Sequence, residues 1–196
     1  MGYSTNVITI ADEVNRHAVA LSEQARVSAL HPVLVEARPL SVKEIVARAH
    51  KMGWNTHVSH LGDEMAARDL GPIDDLSALQ TLVSDTAHVH FVAKGFENQA
   101  PYICIGRAKR NDLVLQDPRI SSLHAALYID AEQQRVVLED RGSSNGTYVN
   151  GRRLRPREPV TLGLGDCLRF GNRVFYFLPP DRYRDFVELR LSLQAR

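Results

Sequence analysis

Three short stretches in the second half of the chain concentrate side chains that hold anions well and break bonds poorly. The first is Ile105-Gly106-Arg107-Ala108-Lys109-Arg110-Asn111-Asp112 and the second Arg119-Ile120-Ser121-Ser122-Leu123-His124. The third runs from Asp140-Arg141-Gly142-Ser143-Ser144-Asn145-Gly146-Thr147 to Asn150-Gly151. Arg107 offers a planar fork of donors that matches a phosphate or carboxylate, and Ser121, Ser122 and Ser144 add hydroxyls and N–H groups. Asn145 carries an amide able to bond both the N–H and the C=O of an extended peptide. No stretch supplies an evident general base. The set suits recognition of a phosphorylated peptide segment, not bond cleavage.

Competing patterns fare worse. Gly142-Ser143-Ser144-Asn145-Gly146 spells G-x-S-x-G, but it leads into a strand and turn where a nucleophile elbow needs a helix. No histidine follows it to complete a triad in that order. His57-x-x-His60 with Glu64 is too loosely spaced for a metal centre and has no cysteine nearby, so no metal is expected. Lys43–Leu61 resembles a helix-turn-helix in outline, with Gly53 at the turn. Its reading stretch, Asn55-Thr56-His57-Val58-Ser59-His60, contains no Lys or Arg to neutralise DNA phosphates.

The elements that must position the three stretches follow from periodicity. From His88 onward the apolar period is two, with short strands expected at His88–Ala93, Tyr102–Ile105, Leu113–Leu115, Ala125–Ile129, Arg135–Leu138, Thr147–Val149, Val160–Leu162, Cys167–Phe170 and Arg173–Phe177. Turn residues separate them, including Asp117-Pro118, Asn145-Gly146, Asn150-Gly151 and Gly171-Asn172. Many short strands at this spacing predict an antiparallel β-sandwich with the three stretches as loops. His88 and His90 share one strand face and are expected at the surface. After Pro179-Pro180, Asp181 can cap a last helix carrying Tyr183, Phe186, Val187 and Leu191.

The first 85 residues read as helices. Ile10, Val14, Ala18, Leu21, Ala25 and Ser28 recur at helical spacing, and Ser41-Val42-Lys43-Glu44 has capping-box spacing before Ile45, Val46, Ala49 and Met52. Two shorter helices are expected at Leu61–Leu70 and Asp74–Val83. Charge divides at the same place: residues 1–85 hold 7 Lys+Arg against 11 Asp+Glu, and residues 86–196 hold 17 against 12. The second part can attract anions without being basic enough to imply nucleic acid.

Composition sets the outer bounds. In 196 residues, 44% are hydrophobic and 24% charged, near globular averages and unlike a disordered or fibrous chain. No apolar run approaches a membrane span, and the opening MGYSTNVITI lacks a basic start followed by an apolar core. Two cysteines, Cys104 and Cys167, lie in apolar strands and read as small core residues. A soluble cytoplasmic protein is the expectation.

The ordered series Gly106-Arg107, Ser121-Ser122-Leu123-His124, Asp140, Gly142-Ser143-Ser144-Asn145-Gly146-Thr147 and Asn150-Gly151 resembles the forkhead-associated (FHA) domain family over about residues 86–178. The resemblance implies an eleven-stranded β-sandwich that binds phosphothreonine peptides through loops at one end, without catalytic activity. It implies that Arg107 and Ser121 bind the phosphate, that Ser122 and Ser144 stand at further phosphate-contacting positions, and that Asn145 holds the peptide backbone. Ser122 stands where Arg is often found. Arg119 falls where related domains face the third residue after the phosphothreonine. His124 resembles the family's buried histidine, which braces the loop carrying Ser121. Gly106 and Gly146 would serve tight turns, and Thr147 and Asp140 packing and loop hydrogen bonds.

The expected organisation is mainly β: a helical N-terminal extension over 1–85, an FHA-type sandwich over 86–178, and a C-terminal helix over 179–196. The expected function is a phosphothreonine-dependent adaptor of bacterial type in Ser/Thr kinase signalling. Its partner would be a phosphothreonine-containing protein, either a Ser/Thr kinase or a kinase substrate. No cofactor, membrane or nucleic-acid partner is expected. The alternatives are an FHA scaffold that docks without phosphate and a DNA-binding regulator using the N-terminal extension.

Overall fold

Alternating apolar residues in short runs, each closed by a turn, form two facing sheets. The computed structural model describes residues 7–11, 31–37, 71–83, 87–95, 98–130 and 132–194, which hold twelve strands and two helices. In chain order these are β1 (Val7–Thr9), β2 (Val33–Glu36), α1 (Leu76–Leu82), β3 (His88–Phe91), β4 (Ile103–Gly106), β5 (Leu113–Val114) and β6 (Ala125–Asp130). They continue with β7 (Arg135–Asp140), β8 (Thr147–Val149), β9 (Arg152–Arg153), β10 (Val160–Thr161), β11 (Cys167–Phe170), β12 (Arg173–Leu178) and α2 (Pro180–Gln194). One sheet has the order β1-β3-β2-β12-β11-β8-β9 and the other β10-β7-β6-β4-β5. All pairs are antiparallel except β4 with β5.

Two cores result, because the seven-stranded sheet is covered on both faces. Toward the other sheet it turns Leu34, Phe170, Phe175 and Phe177, which pack on Ile103, Ile105, Leu127 and Leu138. Away from it, Val33, Val35, Val89, Val174, Tyr176 and Leu178 pack on Leu76, Leu79 and Leu82 of α1 and on Tyr183, Phe186 and Val187 of α2. The run Val174-Phe175-Tyr176-Phe177-Leu178 is therefore apolar without alternation, as a strand buried on both sides must be. Asp75 caps α1 by accepting from the Ser77 N–H at 3.0 Å. Pro180 opens α2, where a missing N–H costs nothing.

The N-terminal region departs from the helical expectation. Val33–Glu36 is a strand that pairs with β12 on one side and β3 on the other, and Val7–Thr9 extends the sheet beyond β3. The physical reason is that Val33 and Val35 face the helices while Leu34 faces the sandwich, so the run has no polar side to reveal its period. The helix expected over Asp74–Val83 is present as Leu76–Leu82. Beyond Ala11, the first expected helix, those at Ser41–Met52 and Leu61–Leu70, the Lys43–Leu61 segment, and His57, His60 and Glu64 lie outside the described residues.

One surface assignment is also corrected. His88 is exposed, but His90 is 3% exposed, its ring edge-on to Phe175 at 5.5 Å. The adjacent strands explain why. Arg173 of β12 grips Glu36 of β2 through two bonds of 2.7 and 2.6 Å, and His88 Nδ1 lies 3.3 Å from the same carboxylate. His90 Nε2 is 4.0 Å from it. Burial raises the Glu36 carboxyl, but His90 and Arg173 outweigh that and bring it from its ordinary 4.5 to about 2. Cys104 and Cys167 are free thiols, the latter buried. Among the described residues, no helix is long and apolar enough to cross a membrane.

Candidate functional site

The three stretches singled out by chemistry come together at one end of the sandwich as the loops after β4, before β6 and after β7. Gly106, the last residue of β4, lets the first two touch. A Cβ there would lie 2.5 Å from the Ser122 carbonyl oxygen and 2.9 Å from that of Ser121, so only glycine fits. Main-chain bonds then lace the loops: Arg107 N–H to Ser121 O at 2.9 Å, and Ala108 N–H to Ser122 O at 3.1 Å. The buried Asn111 amide donates to Ser122 O at 2.6 Å and Ala108 O at 2.8 Å. Asp112 fixes the base of the same loop by accepting from the N–H groups of Gly95 and Cys104, each at 2.6 Å.

Arg107 is exposed, yet its guanidinium is held: Nε donates to Ile120 O at 3.2 Å, placing the fork beside the loop of Ser121 and Ser122. Ser121 stands at the junction of the second and third loops. Its Oγ accepts from the Ser144 N–H at 3.1 Å, and its own N–H donates to His124 Nδ1 at 3.1 Å. Ser122 and Ser144 are exposed alongside. Asn145 Nδ2 donates to Arg119 O at 2.7 Å, which joins the exposed Arg119 and Asn145 across the same rim.

The support beneath is buried. His124 is 0% exposed, with Phe170 edge-on at 5.8 Å. Because Nδ1 accepts from Ser121, the proton sits on Nε2, which donates to Gly146 O at 3.2 Å. Both ring nitrogens are thus used in bracing two loops. Burial depresses its pKa below the usual histidine value against the opposing pull of Gly146 and Asp140, which keeps the ring neutral. Gly146 has φ +83°, a left-handed turn that carries the chain from Asn145 into β8.

Asp140 organises the third loop. Its carboxylate accepts from the N–H of Gly142 at 2.8 Å and of Ser143 at 3.0 Å, and from the hydroxyls of Ser143 at 2.5 Å and Thr147 at 2.7 Å. Burial pushes this carboxyl up, but the Ser143 and Thr147 hydroxyls and the loop N–H groups more than offset it and hold the pKa below the usual range.

Arg107, Ser121, Ser122, Ser144, Asn145 and Arg119 therefore share one rim, with Gly106, His124, Gly146 and Thr147 beneath it. Among the described residues no carboxylate pairs with Arg107 or Arg119. The rim presents positive charge, hydroxyls and amide hydrogens to the outside. The sequence reading gave no role to Asn111, Asp112 or Ser143, although all three clamp the loops. Their signal was a cluster of Asn, Asp and Ser in turn segments, types that bond nearby main chain.

Residues 103–171 match the model of the FHA domain. The chain is 40% identical over 79 residues to the human protein named Angiogenic factor with G patch and FHA domains 1, covering 37% of this chain and 11% of that one. It is 40% identical over 70 residues to an FHA domain-containing protein of Arabidopsis thaliana, covering 35% and 18%. It is 37% identical over 93 residues to the transcriptional regulatory protein EmbR of Mycobacterium tuberculosis, covering 46% and 23%. A solved structure of that EmbR in complex with low affinity phosphopeptide shares 36% identity, with a TM-score of 0.36, over 41% of this chain and 20% of that one. The chain thus spans less than a quarter of the length of each of these relatives. What the comparisons show for this chain is one FHA domain, at residues 103–171.

Proposed function

We propose that this chain is a phosphothreonine-dependent adaptor, bringing a phosphorylated protein to its own site in Ser/Thr kinase signalling. The observation that carries the reading is the meeting of Arg107, Ser121 and Asn145 on one rim, each already oriented by a main-chain or hydroxyl partner. A phosphothreonine brings a charge of about −1.5 to −2 and three acceptor oxygens at neutral pH. Arg107 supplies the cation and the fork, Ser121 and Ser144 the neutral donors, and Ser122 a further hydroxyl. Asn145 takes the peptide main chain, and Arg119 lies beside it for a residue farther along. Pre-ordering by His124 and Asp140 lowers the entropy lost on binding.

Recognition is the chemistry such a rim performs: it holds charge without moving protons, since His124 has both nitrogens engaged. The partner is a phosphothreonine-containing protein, either a Ser/Thr kinase or a kinase substrate, met in the cytoplasm. The test is calorimetric titration of the full chain with paired peptides identical except for the phosphate on threonine. Binding of the phosphorylated member alone is expected. Equal binding of both would assign the rim to phosphate-independent docking.

A further inference from the structure

A second set of cations begins where this rim ends. On β8, Thr147 and Val149 point into the sandwich, so Tyr148 faces the opposite side. Register pairs Tyr148 with Arg153 of β9 and with Arg169 of β11, which places the three side chains in one row. The Arg169 guanidinium stacks over the Tyr148 ring at 3.5 Å and is pinned by a 2.6 Å bond to Gly171 O. The Arg153 guanidinium lies 6.0 Å from the ring centre and is exposed.

The row is continuous with the rim. A Cβ on Gly146 would lie 2.6 Å from Arg153 Nε, so the guanidine rests on the turn that follows Asn145. Gly171 N–H donates to Gly146 O at 3.4 Å, and a Cβ on Gly171 would lie 2.8 Å from the Arg119 oxygen that Asn145 also bonds. A peptide held by Asn145 has this surface as its next neighbour.

The charges are uncompensated. Arg152 has Glu158 and Arg173 has Glu36, but among the described residues no carboxylate pairs with Arg153 or Arg169. Like charges flanking one position across neighbouring strands repel, and the ring between them offsets only part of that. An external anion would remove the rest. Arg169 covers the Tyr148 face, so the ring is not open for the base stacking on which single-stranded nucleic acid relies.

We infer that the Arg153–Tyr148–Arg169 row is a subsite for acidic residues flanking the phosphothreonine, so that the ligand is a phosphopeptide with carboxylates in the segment next to Asn145. This rests on the phosphothreonine reading. Arg153 is the exposed contact, and Arg169, held on Tyr148 and Gly171 O, is the fixed one.

The test uses the full chain and two fluorescein-labelled phosphothreonine peptides, one flanked on both sides by Asp and the other by Asn, titrated by anisotropy. Wild type is expected to bind the Asp peptide about fivefold or more tightly at low salt. Raising the salt shrinks the preference. In Arg153→Gln the ratio falls toward one, while Arg153→Lys, which keeps the charge and reports on folding, retains a preference. A ratio of one in wild type, an unchanged ratio in Arg153→Gln, or a ratio of one in a folded Arg153→Lys would overturn the inference and leave the phosphothreonine reading standing. Tighter binding of a single-stranded oligonucleotide than of the Asp peptide, lost in Arg153→Gln, would also overturn it. Failure of both phosphopeptides to bind would overturn the phosphothreonine reading and the subsite together.

Discussion

The Ser121 N–H donates to Nδ1 of His124 at 3.1 Å, which ties the residue at the loop junction to a ring that no solvent reaches. That bond, with Nε2 on Gly146 O, makes the histidine a brace between the second and third loops. Replacing His124 by Phe fills the volume but leaves the Ser121 N–H without its partner and the Gly146 carbonyl with only the Gly171 N–H at 3.4 Å. A loss of about 1–3 kcal/mol is expected, chiefly from the orphaned N–H. Urea unfolding measures it, and weakened phosphopeptide binding should accompany it.

Removal of the anchor cation tests the site directly. Arg107→Ala is expected to lower affinity for a phosphothreonine peptide by about 2–4 kcal/mol, or roughly 30–1000-fold, because charge-assisted hydrogen bonds are lost. Ser121→Ala should lose less. Among the described residues the Arg107 side chain donates one bond, to Ile120 O, and the variant keeps the main-chain bond to Ser121 O, so its melting temperature should change little. Calorimetry on both variants checks the order, and wild-type binding by Arg107→Ala would remove the proposal.

A fragment of residues 86–178 should fail to form a stable domain. It lacks β1, β2 and both helices, which exposes Val174, Tyr176 and Leu178 on one face and leaves β12 without its β2 partner. The three fully buried side chains Val33, Leu34 and Val35 alone contribute on the order of 5 kcal/mol. Circular dichroism and dye binding compare the fragment with residues 1–196. A cooperative melt near that of the full chain would contradict the expectation.

Stability should fall in two stages as the solution is acidified. His124 and His90 both have pKa values depressed chiefly by burial, so the unfolded chain takes up their protons first. The stabilisation is complete above the unfolded histidine value of about 6.5 and is lost as pH falls below it through the folded values. Glu36 acts lower, because its folded pKa is about 2 against an ordinary 4.5. Its contribution is whole above 4.5 and disappears between there and about 2. Denaturant midpoints across pH record both stages, and Glu36→Gln should shrink the second to what the depressed Asp140 carboxyl contributes.

The division between chain and fold shows in particular residues. The rim loops were legible because Gly-Arg, Ser-Ser-x-His and Gly-Ser-Ser-Asn-Gly-Thr are local strings whose order is written along the chain, whereas the bonds between loops, such as Asn111 to Ser122 O and Ser144 N–H to Ser121 Oγ, were not. The strands β4 to β8 and β10 to β12 were legible through apolar runs and turns, whereas β9, two exposed arginines, carries no apolar signal and was not expected. What only the tertiary structure decided is where buried, non-local partners meet. Val33-Leu34-Val35 became a strand because β12 and β3 offered edges and two cores offered both faces, a circumstance no local period encodes. His90 went inward because Glu36 and Arg173, far apart in sequence, form a pair beside it. Arg153, Tyr148 and Arg169 lined up because register, a property of paired strands, set the distant Arg169 beside Tyr148 and its hairpin neighbour Arg153.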